Sequence, residues 1–280
     1  CEGTCARGNP RHEKRKNMFG KKKSKEISNV KALCLGGGGA RGFAHIGAVK
    51  AFEEAGIKFD LIVGTSVGAL VGAVYAAGVK SDTLMRYAES LDMHDIHNGI
   101  VIAPNDPMKI GKIVTDLVGV KDIASLPTRF AAVAVDLVAA KQAVLDKGNA
   151  SIAVAASCAV PVLYKPIAMG GKHLCDGGLM NNIPADVCRM LGATRVITVD
   201  VNPGRGGGTA GMGLIDVLKG TLGIVLSNSS AEGLRHSDVV IAPDTSAYSS
   251  MSKDGWKEMV TLGYEATKAA IEKQRNVFHD

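Results

Sequence analysis

The sequence predicts an α/β fold of three layers, α/β/α, built on a mainly parallel central sheet. Three observations carry this expectation. From Lys31 onward, short apolar runs of strand character alternate with longer stretches of helical periodicity. Glycines close several of the helical stretches, as at Gly56, Gly78 and Gly192. The chain has 280 residues, 46 % of them hydrophobic, enough to bury a sheet under helices on both faces.

Residues 32–35 form the first strand and end in glycines. Residues 42–54 then carry a helical apolar face through Phe43, Ile46, Val49 and Phe52. A second strand over 59–63 leads into a helix over 67–77. Helices follow at 81–92 and 107–118, the latter with an apolar side of Met108, Ile110, Ile113, Val114 and Leu117. Residues 129–135 and 142–145 read as strands, and 150–157 as a short helix before Pro161. A helix over 185–191 precedes a buried strand over 195–201. Residues 202–213 contain six glycines and are expected to be mobile. A helix over 214–226, a strand over 238–242 and an amphipathic helix over 255–273 complete the pattern. Residues 31–275 read as one domain, 1–30 as a disordered arm and 276–280 as a tail.

The net charge of +6 belongs to the arm. Residues 1–30 hold nine Lys and Arg against three acids, leaving 24 basic and 24 acidic residues in the remainder. A neutral body argues against a nucleic-acid partner. The arm suits an anionic membrane surface instead. The chain begins at Cys1, and two readings stand for it. It is either the lipid-bearing first residue of a processed bacterial lipoprotein, giving a membrane-associated protein, or an arbitrary boundary ahead of a solvated arm, with a cytoplasmic protein as the alternative.

Cys34, Cys158, Cys175 and Cys188 lie in apolar surroundings and read as small core residues. No Cys-x-x-Cys pair or Cys/His spacing suggests a metal, and no cofactor is expected. His45 lies among helix formers, and His94 and His97 flank Asp95 in a polar stretch. Residues 61–79 are free of charge and would pass for a membrane span by hydropathy. However, Leu61-Ile62-Val63 has strand character and Gly64-Thr65-Ser66-Val67-Gly68 reads as a sharp turn. A buried strand, turn and helix explain the stretch.

Glycine is in excess, at 34 residues, and its clusters mark the candidate chemistry. Gly64-x-Ser66-x-Gly68 between strand and helix is the pattern of a nucleophile elbow, in which a strained Ser exposes its hydroxyl at the strand end. Gly36-Gly37-Gly38-Gly39-Ala40-Arg41-Gly42 follows the first strand and opens a helix. It formally fits a dinucleotide fingerprint, but the second strand ends in Gly64-Thr65-Ser66 rather than the required acid. Its other reading is an oxyanion hole facing Ser66 from the neighbouring strand. For a base, Asp176 with His236 or with His279 would supply a Ser-acid-His order. Asp176-Gly177-Gly178, an acid in a glycine turn, is the alternative without histidine.

In this order, Gly-Gly-Gly-x-Arg-Gly (37–42), Gly-x-Ser-x-Gly (64–68) and Asp-Gly-Gly (176–178) resemble the patatin-like phospholipase family. Ala156-Ser157-Cys158-Ala159-Val160-Pro161, Asn182-Ile183-Pro184 and the late strand ending in Pro243 are similar too, so the resemblance covers about residues 31–273. It implies a patatin-like fold and a serine lipid acyl hydrolase working through a Ser-Asp dyad. Ser66 would be the nucleophile and Asp176 the base, with Gly37, Gly38, Gly39 and Arg41 about the oxyanion or a substrate phosphate, and no metal would be required. Gly42, Gly64, Gly68, Gly177 and Gly178 would complete the motifs. The substrate would be a lipid or other acyl ester. A Ser-His-Asp esterase on small soluble esters and a non-catalytic lipid-binding protein are the competing functions. Residues 108–117 and 202–213 would border an acyl channel or lid, or serve as a core-facing helix and a plain loop.

Overall fold

The computed structural model describes residues 29–92, 104–203 and 213–278. In chain order its elements are β1 (Lys31–Leu35), α1 (Phe43–Glu54), β2 (Leu61–Thr65), α2 (Val67–Ala76), α3 (Ser81–Ser90), α4 (Met108–Val118), β3 (Arg129–Asp136), β4 (Lys141–Leu145), α5 (Ala150–Ser157), β5 (Ile167–Met169), β6 (Lys172–Asp176), α6 (Ala185–Met190), β7 (Arg195–Val199), α7 (Leu214–Arg235), β8 (Val239–Ile241), α8 (Trp256–Lys273) and α9 (Arg275–Phe278). The sheet runs β5-β6-β3-β2-β1-β7-β8, with β4 also paired to β3. Strands β1, β2, β3, β7 and β8 are parallel, whereas β4, β5 and β6 are antiparallel to their neighbours.

Alternation along the strands separates two cores, because successive side chains leave a strand on opposite faces. Leu33, Leu35, Ile62, Phe130, Ala132, Ile197 and Val199 pack against α1, α2, α5 and α8. Ala32, Cys34, Leu61, Val63, Ala131, Val133 and Val196 pack against α6 through Ala185, Val187 and Cys188. Strands β1, β2, β3 and β7 are thus covered on both sides, while the edge strand β8 leaves Val240 exposed, and the fold is the three-layer α/β/α arrangement. Cys34, Cys158, Cys175 and Cys188 are all buried. The uncharged stretch 61–79 is β2, a turn and α2, and no helix among the described residues is long and apolar enough to cross a membrane.

Three elements differ from the expectation. The hairpin β5–β6 has no alternating signature, since Lys172 and His173 are exposed while Leu174, Cys175 and Asp176 are all buried. Helix α7 runs nine residues beyond 226, through Ser227-Asn228-Ser229-Ser230, which has weak helical propensity. Tertiary contacts hold it: Ser230 is fully buried, and Asn182 Nδ2 donates to its Oγ at 3.1 Å. Residues 276–278 are no tail. Phe278 is buried against Phe52, and its carbonyl accepts from Lys31 Nζ at 2.5 Å. The basic arm through residue 28, His94, His97, His279 and most of the glycine run 202–213 lie outside the described residues.

Candidate active site

Ser66 sits between the last residue of β2 and the first of α2, with φ 54° and ψ −127°. A non-glycine residue held there stores about 1–3 kcal/mol of backbone strain. The turn closes only because its flanks are bare. A Cβ on Gly64 would lie 2.4 Å from the Gly68 backbone, and one on Gly68 would lie 2.1 Å from the Leu35 carbonyl oxygen. The Ser66 N–H donates to Ser157 Oγ at 2.9 Å, and that hydroxyl donates to Val133 O at 2.5 Å. Ser157, at the end of α5, therefore ties the elbow to β3.

Asp176 reaches Ser66 through register. Residues 132–136 of β3 pair with β4, so β4 occupies one edge along that whole length. On the other edge β2 pairs with residues 129–133 and β6 with residues 134–136. The two strands meet end to end there, with Thr65 opposite Val133 and Asp176 opposite Ala134. Gly177 makes the junction possible, since a Cβ on it would fall 2.2 Å from Val133 O.

Asp176 is 3 % exposed. Its Oδ1 accepts the Gly178 N–H at 2.7 Å, while Oδ2 is buried without a hydrogen-bond partner. Burial pushes its carboxyl up to about 6, against the opposing influence of the neighbouring Ser66 hydroxyl and the Gly178 N–H. That hydroxyl is close enough to be felt by the carboxylate but does not complete a hydrogen bond to Oδ2.

The glycine loop after β1 faces the elbow, and the structure sorts its donors. Gly37 N–H is taken by Asn182 O at 3.1 Å, and Arg41 N–H by Gly38 O at 3.2 Å. Ala40 N–H goes to Ser250 O at 2.8 Å. Among the described residues, no acceptor meets the N–H of Gly38 or Gly39. The backbone N–H groups of Gly37 and Arg41 are thus engaged within the structure, while those of Gly38 and Gly39 are open. The Arg41 guanidinium is a brace, donating to Tyr248 O at 2.9 Å and Asn202 Oδ1 at 2.7 Å. Gly39 needs its left-handed backbone, φ 58°, and a Cβ there would strike Ser250 O.

Sequence reasoning passed over several residues that hold this loop. His45 is fully buried beneath it and, as the Nε2–H tautomer, donates to Gly36 O at 2.8 Å. Burial lowers its pKa to about 4, so the ring is neutral. Asn202 Nδ2 donates to Gly37 O at 3.1 Å. A buried polar residue on an apolar helix was the one available hint for His45. Asn202 carried none, because its contact is 165 positions away.

An apolar cavity of about 170 Å³ opens at Ser66. Leu70, Val74, Ile110, Ile113, Leu117 and Leu163 form much of its wall, so the apolar side of α4 faces this space as well as the core. Cys158 also lines it, and burial keeps that thiol well above its usual pKa and neutral. His236 is not at the site. It lies at the end of α7 just before β8, facing Glu232 Oε1 at 3.2 Å, at the opposite end of the parallel strands from Ser66. Among the described residues, no cluster of His, Cys, Asp and Glu could hold a metal.

A family profile described as patatin-like phospholipase matches residues 33–189, more than half of the chain. An NTE family protein of Mycobacterium tuberculosis is 37 % identical over 185 residues, covering 63 % of this chain and 50 % of its own length. Human patatin-like phospholipase domain-containing protein 6 is 35 % identical over 187 residues, covering 62 % of this chain and 13 % of its own. The chain thus spans half or less of these curated relatives. Among solved structures, VipD from Legionella pneumophila superposes with a TM-score of 0.58 at 14 % identity, covering 88 % of this chain and 67 % of VipD. That last likeness is one of fold.

Proposed function

The chain belongs to the patatin-like phospholipase family, and on that premise we propose that it is a serine lipid acyl hydrolase working through a Ser66–Asp176 dyad. The observation that carries the reading is a strained serine beside a buried carboxylate with one free oxygen, at the mouth of an apolar cavity.

Ser66 Oγ attacks the ester carbonyl carbon while its proton passes to Asp176 Oδ2. An ordinary carboxylate, near pKa 4, is a poor acceptor for this step. A value of about 6 brings Asp176 closer to the task while leaving it mostly ionised at neutral pH. The developing oxyanion takes hydrogen bonds from Gly38 and Gly39, whose N–H groups need not break existing bonds. Collapse of the tetrahedral intermediate expels the alcohol or lysolipid, which takes the proton from Asp176. Water then attacks the acyl-enzyme, Asp176 accepts its proton, and the fatty acid leaves with Ser66 restored. The acyl chain lies in the cavity. An apolar cavity of about 150 Å³ takes up benzene, so this one accepts roughly the first six carbons without rearrangement. The basic residues of the arm draw the enzyme to anionic, membrane-held substrate.

Ser66→Ala is expected to lower hydrolysis of acyl esters at least about 10⁴-fold and to abolish labelling by a serine-directed phosphonate. Retained turnover in that variant rejects the dyad. A wild-type protein that binds long-chain esters without cleaving them makes it a lipid-binding protein.

A further inference from the structure

We propose that the two turns at the outer end of β3 form a docking surface for an anionic phospholipid bilayer. The inference deepens the lipid-ester reading and rests on it.

The turn between β3 and β4 exposes an apolar tip. Leu137 is 46 % and Val138 67 % exposed, and Ala139 and Ala140 beside them are also exposed. Turns are ordinarily built from Gly, Pro, Asn, Asp and Ser, so four consecutive apolar residues there call for an explanation. The turn between β5 and β6 presents Met169, 38 % exposed, and the Gly170-Gly171 bend. The turns are joined, because Leu137 N–H donates to His173 O at 2.9 Å.

The exposed charge at the tips has one sign: Asp136, the register partner of Lys141, is buried behind the turn, where its Oδ1 accepts the Val138 N–H at 3.1 Å. Lys141, Lys165 and Lys172 are exposed, and residues 137–141 and 165–173 contain no acid. None of these lysines has an ion pair among the described residues. Apolar tips ringed by uncompensated cations match a surface with anionic headgroups over hydrocarbon. Three large apolar side chains fall short of the roughly 800 Å² per partner that a stable protein interface buries.

Position joins this surface to the chemistry. Lys172 stands four strand residues, roughly 13 Å, outward from Asp176 along β6. Leu163 and Tyr164 line the cavity, and the next residues of the chain form the β5–β6 hairpin that ends at Asp176. A bilayer seated on the tips therefore lies against the strand that carries the acid and the segment that walls the cavity.

The test is co-sedimentation of the full chain with phosphatidylcholine vesicles, with and without phosphatidylglycerol. Wild type is expected to favour the anionic vesicles. One surface lysine contributes about fivefold in partition, so Lys141→Glu with Lys172→Glu should weaken binding by more than tenfold. Leu137→Ser with Val138→Ser should weaken the binding that persists at high salt. In both variants hydrolysis of vesicle lipid falls relative to that of a monomeric short-chain ester. Lys172→Gln alone, at one exposed side chain, repeats the direction with about a fivefold loss, and an unchanged melting temperature shows that the fold is intact. Wild-type binding by the double-lysine variant would place the contact on the basic arm and overturn the proposal, as would equal affinity for both vesicle types. Ser66→Ala should bind vesicles like wild type. Hydrolysis retained in that variant would fail the catalytic reading while vesicle binding still decides this one.

Discussion

The two halves of the candidate site are built in different ways. Ser66 and the glycine loop stand at the ends of adjacent parallel strands, β2 and β1, each turning directly into a helix. Asp176 arrives from the antiparallel side, on a strand that meets β2 end to end along one edge of β3. The first half is local: glycines within a few residues of Ser66 set its geometry. The second depends on pairings between distant segments. The candidate nucleophile is therefore shaped by a short motif, whereas its candidate base is placed by the sheet.

The sharpest way to break this contrast is at the acid. Asp176→Asn should cost about 10³–10⁴ in kcat/KM on a soluble ester, since the acceptor for the Ser66 proton is gone. The same variant should be more stable than wild type at pH 7. The folded carboxyl titrates near 6 and the unfolded one near 3.8, so the native state binds more protons between those values. Wild-type stability falls as pH rises through that window and stays low above it. About two pH units correspond to roughly 3 kcal/mol at most, so urea unfolding should show a gain of about 1–3 kcal/mol at pH 7 that vanishes near pH 4. Wild-type kcat/KM should fall about tenfold per unit below pH 6. A profile flat to pH 5 would sink Asp176 as the base.

On the nucleophile side, Gly68→Ala forces a Cβ to 2.1 Å from Leu35 O, and relief requires moving β1 or α2. We expect a loss of about 3 kcal/mol or more in stability, with activity lost in the folded fraction, read by denaturant melts and turnover. Ser157→Ala tests the joint between the halves. It leaves the Ser66 N–H and Val133 O without Ser157 Oγ, which should cost about 2 kcal/mol and lower kcat more than it raises KM. The smallest effect belongs to Gly220→Ala on α7, where a Cβ meets nothing within 4 Å. That change should raise stability by about 0.5–1 kcal/mol and leave activity unchanged, showing that the penalty at Gly68 comes from close approach rather than from glycine replacement as such.

Much of the fold is legible in the sequence. The parallel core could be read because its strands are apolar on both faces and its helices repeat on one. The hairpin carrying Asp176 could not, since β5 and β6 are short and β6 is exposed at one end and wholly buried at the other. The later part of α7 falls outside the helix expected over 214–226, because serine and asparagine disfavour helix until contacts such as that of Ser230 with Asn182 hold them. Phe278 looked terminal in sequence and is core in space, because Phe52 and Lys31 receive it from elements more than 200 residues earlier.

By itself, then, the sequence determined the layered α/β class and the order of the three glycine motifs, and it nominated Ser66 as a candidate elbow and, through the family resemblance, Asp176 as a candidate base. The class rests on periodicity and the motifs on backbone approach within a few residues, which a linear pattern records. The tertiary structure alone decided that β6 abuts β2, that Gly38 and Gly39 keep free N–H groups while Gly37 does not, and that His236 stands at the wrong end of the sheet. Each of these depends on which distant carbonyl or strand edge comes within hydrogen-bond reach, and no local spacing encodes that.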